Sequence, residues 1–368
     1  MKSRFFFMII PFGVIIFFSS FFIVDVFTKI DIISQSVKSL ILVISVFFPT
    51  MLIASMTLGY NKYRKIYFLM YNMSAFWLAV IMYTFAISIV SAGLYLTDVF
   101  VYKIPYKEIT YILLILEVIL VKYGIYHASK TKIKNVEIKN ESLYEKWKDK
   151  KIVLISDLHI GPTRKLRFLK KVVRIINDTN PDIVFIAGDV IDGPVFDYEN
   201  ILQPLQEIKS TYGVYYTPGN HEYYNAEPEK YFPIIKNLTN TLIDEKTIVN
   251  DTQIAGFDFS EKNEHHAEEQ IQKMNLDTTI SSIALLHDPK HAKFLMEKGI
   301  SLVLSGHTHK GQFFPVTWLV RSMYKSYTYG INYFGGNTSI VTSGVGTALV
   351  PMRIGTDSEI LVIKINKD

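Results

Sequence analysis

The 368-residue sequence contains no cysteine. This excludes disulfide bonds and thiolate metal sites, so any metal ion must be held by histidine, carboxylate, amide or water ligands. The redox compartment is left open. Excess positive charge is also lacking outside the N-terminal third: residues 1–130 carry 11 Lys/Arg and 5 Asp/Glu, whereas the rest carries 28 and 29. No nucleic-acid partner is therefore expected.

Charge is absent from three long apolar stretches, residues 5–24, 39–61 and 66–97. Each predicts a membrane span, because a helix of about 20 apolar residues can cross a bilayer. A fourth stretch is interpreted as a span although it contains Glu117 and Lys122. The four predicted helices are 5–27, 38–60, 66–97 and 109–126.

The first apolar stretch also has the length and composition of a signal peptide. No small-residue cleavage site follows it, and further spans come after it, so we expect it to be retained. Glu117 is a candidate functional group, because a carboxylate inside a membrane is costly. The favoured interpretation is nevertheless a structural hydrogen bond to a neighbouring helix.

Four spans would place both ends of this region on one side of the membrane, and cytoplasmic loops are enriched in Lys and Arg. Nine such residues would share the side of the C-terminal part: Lys2, Arg4, Lys62, Arg64, Lys65, Lys122, Lys130, Lys132 and Lys134. Four would face the other side: Lys29, Lys38, Lys103 and Lys107. We therefore expect a multi-pass protein of the cell membrane with a cytoplasmic C-terminal part. Without the fourth span, that part would be outside.

From about Lys130, short β-branched runs alternate with helical segments, which favours an α/β sheet domain over residues 130–368. In "RKLRFLKKVVRIINDTN", for example, the apolar residues that recur with helical spacing are Leu166, Leu169, Val173 and Ile176. After His309 the pattern predicts more strands, in "GQFFPV", "NTSIVTSG" and "EILVIKIN". Residues 1–129 would form the membrane domain.

Five of the strand-like runs end in residues that bind metals. "VLISDLH" supplies Asp157 and His159, "VFIAGD" supplies Asp189, "YYTPGNH" supplies Asn220 and His221, "IALLH" supplies His287, and "LVLSGHTH" supplies His307 and His309. Ligands of α/β sheets bind beyond the carboxyl ends of the strands, so folding is expected to gather these side chains. Imidazole, carboxylate and amide donors suit Mn, Fe or Zn, and their number suggests two ions.

The motifs "DLH", "GDVID", "GNHE", "LLHDP" and "GHTH" resemble, in order, those of the calcineurin-like metallophosphoesterases. "SGHTHKGQ" and "VTSGVGTALVPMRIG" are similar to the membrane-associated bacterial branch, although Lys310 replaces its usual Gly. The resemblance covers about residues 130–368. It implies an α/β domain built as a double β-sandwich flanked by helices, following an all-α transmembrane bundle of about four helices.

The resemblance also implies the role of each residue. One divalent ion would be held by Asp157, His159, Asp189 and His309, and a second by Asp189, Asn220, His287 and His307. His221 matches the catalytic histidine of the family. Two cations about 3.5–4 Å apart can clamp phosphoryl oxygens and activate water. Arg164, Lys310, Arg321 and Arg353 are candidate phosphate contacts, with a solvated surface role equally open.

The expected function is a membrane-anchored phosphoesterase that hydrolyses a phosphoester or pyrophosphate bond. The expected partners are the lipid bilayer and a phosphorylated small-molecule or lipid substrate. The resemblance points to a lipid-linked substrate such as UDP-2,3-diacylglucosamine. A soluble nucleotide is the alternative, and a non-catalytic membrane sensor or scaffold is the contrasting class.

Overall fold

The computed structural model describes residues 2–57, 64–192, 197–224, 227–259, 264–277 and 279–367, with backbone alone at 2–14, 53–57, 64–65 and 224. The chain divides into two compact units. One comprises residues 1–126 with 349–351, and the other comprises residues 127–348 with 352–368.

The N-terminal unit is helical. Its helices are α1 (Lys2–Lys29), α2 (Gln35–Thr57), α3 (Arg64–Phe100) and α4 (Tyr106–Ala128). Three windows within the described residues are long and apolar enough to cross a membrane, at Gln35–Leu52, Ile66–Phe100 and Tyr106–Ala128. The predicted span 5–27 begins among residues whose side chains lie outside the described part, and the end of 38–60 lies outside it altogether.

Glu117 on α4 is buried, and it accepts a hydrogen bond from the hydroxyl of Thr84 on α3, 2.9 Å away. The same hydroxyl lies 3.0 Å from the carbonyl oxygen of Val80 on its own helix. The carboxylate therefore has a partner on a neighbouring helix, as the sequence interpretation favoured.

The second unit contains all the strands found among the described residues. They are β1 (Thr131–Lys139), β2 (Ile152–Ile155), β3 (Ile183–Ala187), β4 (Val214–Thr217), β5 (Asn240–Thr241), β6 (Glu245–Val249), β7 (Thr252–Gly256), β8 (Ser282–Leu285), β9 (Leu302–Ser305), β10 (Gly330–Phe334), β11 (Asn337–Val341) and β12 (Ser358–Asn366). Its helices are α5 (Glu141–Trp147), α6 (Leu166–Asp178), α7 (Tyr198–Leu202), α8 (Asn220–Tyr224), α9 (Pro228–Leu238), α10 (Glu264–Lys273), α11 (Ala292–Glu297) and α12 (Val316–Tyr324).

The strands form two six-stranded sheets, ordered β1-β12-β2-β3-β4-β5 and β10-β11-β9-β8-β7-β6. Within the first sheet, β2, β3 and β4 run parallel, with Ile152 opposite Ile183 and Val184 opposite Val214. In the second sheet β8 and β9 are also parallel. The carboxyl ends of these five strands carry the metal-binding residue types.

Alternation along the strands explains why the two sheets stack. On β2, Ile152 and Leu154 join a buried cluster with Leu285 and Leu304 of the other sheet. Val153, of opposite parity, packs in a different cluster that includes side chains of α6. Successive side chains of a strand point to opposite faces, so one face meets the other sheet and the other meets helices. The expected double β-sandwich flanked by helices is confirmed.

The stretch "GQFFPV" departs from the sequence prediction. It was expected to be strand-like, but His309–Gly311 forms a 3₁₀ turn and helix α12 begins at Val316. Apolar residues alone do not distinguish a short strand from an irregular approach to a helix. The other two predicted strands correspond to β11 and β12.

Candidate metal centre

All eight residues predicted for the site lie just beyond strand ends. In chain order, β2 is followed by Asp157 and His159, β3 by Asp189, β4 by Asn220 and His221, β8 by His287, and β9 by His307 and His309. Strands β2, β3 and β4 are parallel neighbours in one sheet, and β8 and β9 in the other, so within each sheet the carboxyl ends of these strands share one edge. The site is therefore assembled at this edge from both sheets.

One group of potential ligands joins Asp157, His159 and His309, whose donor atoms lie within 4.8 Å of one another. The Nε2 atoms of the two histidines are 3.0 Å apart, and His309 Nε2 is 3.3 Å from Asp157 Oδ1. Two imidazole nitrogens and a carboxylate oxygen thus converge on one point, an arrangement that suits a cation.

A second group joins Asp189, His287 and His307. His287 Nε2 lies 3.1 Å from Asp189 Oδ2 and 3.2 Å from His307 Nδ1. The other nitrogen of His287, Nδ1, donates to the carbonyl of Ala187 at 2.7 Å. This bond fixes the tautomer and leaves Nε2 available as a ligand, as is usual for metal-binding histidines.

Asp189 connects the two groups. Its Oδ2 is 3.1 Å from His287 Nε2 and 3.8 Å from His159 Nε2. It also belongs to a third potential ligand set with His159 and His221. A single carboxylate oxygen is thus within reach of both groups, as a bridging ligand must be.

Asn220 provides a test of whether the residues fit a metal. Its side chain is buried, and its Oδ1 has no hydrogen-bond partner among the described residues. A buried amide oxygen left unpaired is costly, and such atoms are rare in folded proteins. A cation would satisfy this oxygen as a ligand, so the unpaired Oδ1 fits a metal centre.

The backbone at the site is strained. Positive φ angles occur at Asp157 (55°), His159 (48°), Asp189 (53°), His307 (68°) and His309 (48°). Residues other than glycine rarely adopt this backbone conformation, and such strain concentrates at functional sites. The strand ends are therefore shaped to aim these side chains inward.

Two glycines allow the close approach of the loops. A Cβ on Gly188 would lie 2.5 Å from His287 Nδ1, and the φ of this residue is +79°. A Cβ on Gly306 would overlap the hydroxyl of Ser156 and a carboxylate oxygen of Asp157. Backbone and ligands are packed so tightly here that any side chain would displace them.

The buried charges perturb one another. Burial raises the pKa of Asp157 to about 6, with Asp189 adding to the rise and His287 opposing it. Burial and His221 lower the pKa of His159 to about 4. The neutral imidazole that results is the form that binds metals, whereas closely spaced buried carboxylates need a compensating cation.

His221 stands beside the ligands, oriented by Asp192. Its Nδ1 lies 2.9 Å from Asp192 Oδ1, and its backbone N–H donates to Asp189 Oδ1 at 2.9 Å. Burial lowers the pKa of His221, but Asp189 and Asp192 outweigh it and raise the pKa to about 9. The contact joins residues 29 positions apart in the sequence and is a feature of the tertiary structure.

Glu222 supports the loops rather than the imidazole of His221. Its buried carboxylate accepts backbone N–H bonds from Gly219 at 2.7 Å, Asp189 at 3.1 Å and Val190 at 2.7 Å. Burial and the nearby Asp189 raise its pKa to about 7. One side chain thus ties the loop after β3 to the loop after β4.

Arg353 is fully buried, which argues against the proposed phosphate contact. Its guanidinium donates to the carbonyls of Ser343 at 2.6 Å and Gly346 at 2.8 Å, and one nitrogen lies 3.5 Å from His309 Nδ1. Arg353 therefore holds the 343–346 loop against the back of His309. The isolated Arg in "PMRIG" gave no signal of this role.

Comparisons with known proteins cover the segment that contains the candidate ligands. The family model described as calcineurin-like phosphoesterase matches residues 150–311. A transmembrane protein with a metallophosphoesterase domain from Danio rerio is 35% identical over 268 residues, covering 68% of this chain and 61% of the relative. An uncharacterized metallophosphoesterase of Campylobacter jejuni is 34% identical and covers 69% of this chain and 68% of the relative. Another, from Aquifex aeolicus, is 31% identical and covers 67% of this chain and 97% of the relative.

The chain belongs to the calcineurin-like metallophosphoesterase family. Within this family, the clustered His and Asp residues of the chain fit a two-metal site. With its candidate membrane helices, it is a membrane protein. The match spans 61% of the length of the zebrafish relative.

Proposed function

We propose that the protein is a membrane-anchored hydrolase that cleaves a phosphoester or pyrophosphate bond with the help of two divalent cations. The observation that carries the proposal is the position of Asp189 Oδ2, 3.1 Å from His287 Nε2 and 3.8 Å from His159 Nε2, between two convergent ligand groups. A carboxylate shared by both groups would hold two cations close together, and two-metal sites place their cations about 3.5–4 Å apart.

The proposed ligands follow the two groups. Asp157, His159, Asp189 and His309 would hold one cation, and Asp189, Asn220, His287 and His307 the other. The short nitrogen–nitrogen distances and the unpaired Oδ1 of Asn220 support this division. Because the donors are imidazole, carboxylate and amide, Mn, Fe or Zn are the proposed metals.

Cations bound there would supply Lewis-acid stabilisation of phosphoryl oxygens and activation of a water nucleophile. The chain supplies the rest. Because His221 shares its Nδ1 proton with Asp192, its Nε2 is left to face the ligand cluster, 3.9 Å from Asp189 Oδ2. Its side chain is 21% exposed, so a substrate can reach it. We assign to His221 the stabilisation of the phosphoryl charge and protonation of the leaving oxygen.

The membrane helices favour a substrate presented at a bilayer, such as a lipid-linked pyrophosphate of the UDP-2,3-diacylglucosamine type. A soluble nucleotide is the second candidate. The proposed topology is multi-pass with a cytoplasmic catalytic domain, supported by nine Lys/Arg on that side against four on the other.

Hydrolysis of bis-p-nitrophenyl phosphate by the purified full chain tests the proposal. Turnover should require added Mn²⁺ and be abolished by a chelator. A lipid-linked pyrophosphate in mixed micelles and a cyclic nucleotide then distinguish the substrate classes. A metal-loaded protein that turns over none of the three would favour the sensor or scaffold alternative.

A further inference from the structure

Helix α12 presents apolar side chains to solvent. None of its nine residues, all of which the structure describes, is buried. Trp318, Leu319 and Met323 are 69%, 62% and 66% exposed, and Phe314 packs edge-on against Trp318 with ring centroids 4.9 Å apart. We call Phe314, Trp318, Leu319 and Met323 the apolar ridge. Surface helices ordinarily turn such residues toward the core, and this helix does the opposite.

The exposure is concentrated at this one place. Among the described residues of the second unit, exposed large apolar side chains elsewhere are Ile133, Ile248 and Ile280, which are far apart in the sequence. The segment from Phe314 to Phe334 contributes the ridge and three more, Ile331, Tyr333 and Phe334. Single exposed apolar residues are ordinary, but a concentration of this kind marks an interaction surface.

Along the chain, the segment that carries the ridge has charge of one sign. The sequence contains no Asp or Glu between Glu297 and Asp357, whereas it has five Lys/Arg there. Two of them, Arg321 and Lys325, are exposed on and just after α12. An apolar helix face that includes Trp and is flanked by basic residues is the composition of a helix that lies in the interface of an anionic membrane.

The ridge adjoins the metal centre. Tyr324, the last residue of α12, has its ring 6.1 Å from that of His307. At the start of the helix, the N–H of Thr317 bonds the carbonyl of Phe313 at 3.2 Å. The segment from His309 to Tyr324 thus links the ligand cluster directly to the ridge.

We propose that the apolar ridge inserts into the interfacial zone of the lipid leaflet that the catalytic domain faces, with Arg321 and Lys325 on anionic headgroups. The bilayer is the favoured occupant because the chain carries its own membrane helices. Only two residues separate the end of α4 at Ala128 from the start of β1 at Thr131, and each spans at most about 3.6 Å. Tethering this short keeps the membrane at a high effective concentration.

Insertion does not depend on hydrolysis, so it can be tested apart from the proposed function. The absence of cysteine allows a single label to be placed. The full chain with Leu319→Cys carries a nitroxide and is reconstituted, one copy per nanodisc, in phosphatidylcholine with phosphatidylglycerol. Power saturation compares access to oxygen, which partitions into lipid, with access to a water-soluble nickel chelate. Ile248→Cys, at a position 66% exposed on β6, is the matched control.

The label at position 319 should be more accessible to oxygen than to nickel, and the label at 248 should show the reverse. Adding Arg321→Gln and Lys325→Gln should raise the nickel access of the 319 label severalfold. Equal nickel access at 319 and 248 would overturn the proposal. The proposal would also be overturned if the 319 label were protected from nickel only in vesicles that hold several copies and its spectrum showed dipolar broadening. The ridge would then contact a second copy.

Discussion

Asp192 offers a sharp test of how the site works, because it contacts His221 without being one of the proposed metal ligands. Its Oδ1 lies 2.9 Å from His221 Nδ1, and its side chain is only 4% exposed. In Asp192→Asn the carboxylate charge is lost but an acceptor oxygen stays. In Asp192→Ala the acceptor is removed as well.

A hydrogen bond to a charged group contributes about 1.5–3 kcal/mol, and about 1.4 kcal/mol corresponds to a tenfold change in rate. If the contact serves to orient and charge His221, kcat should fall about 10-fold in Asp192→Asn and about 100-fold in Asp192→Ala. The metal content should stay near that of the unchanged protein, because neither substitution removes a proposed ligand.

The assay is metal-dependent hydrolysis of bis-p-nitrophenyl phosphate, with bound metal measured on the same sample. Asp178→Asn, the same change at an exposed position ending α6, is the matched control and should leave the rate unchanged. Full activity in both Asp192 variants would refute the positioning argument. Loss of metal in Asp192→Asn would instead mean that Asp192 supports the metal centre.

Three further outcomes are expected. Asp189→Asn should abolish turnover and lower bound metal from two ions toward one or none, because Asp189 reaches both ligand groups; two ions and a normal rate would end the assignment. His221→Ala should keep its metal while the rate falls about 10²–10⁴-fold. His265→Ala, at a side chain 76% exposed, is its control, and metal loss in His221→Ala would make His221 a ligand. An alkaline-phosphatase fusion after Asp368 should be inactive and a fluorescent fusion bright, whereas an active phosphatase would place the catalytic domain outside.

The gathering of the candidate ligands was largely predictable from the sequence, because each of them comes shortly after an apolar strand-like run. Asp189 after "VFIAG" and His287 after "IALL" are examples. In parallel strands that share an edge, local position in the chain translates directly into position in the site. The candidate membrane helices were equally readable, because length without charge is a local property.

Contacts between segments distant in the chain were decided only by the tertiary structure. The pairing of His221 with Asp192 spans 29 residues. The hydrogen bonds from buried Arg353 to backbone carbonyls depend on a loop that no local pattern specifies. The face of α12 that meets solvent was also undetermined. The sequence shows that Trp318 and Met323 are apolar, but not whether another element covers them. Packing settles this, because burial depends on what the rest of the chain leaves uncovered.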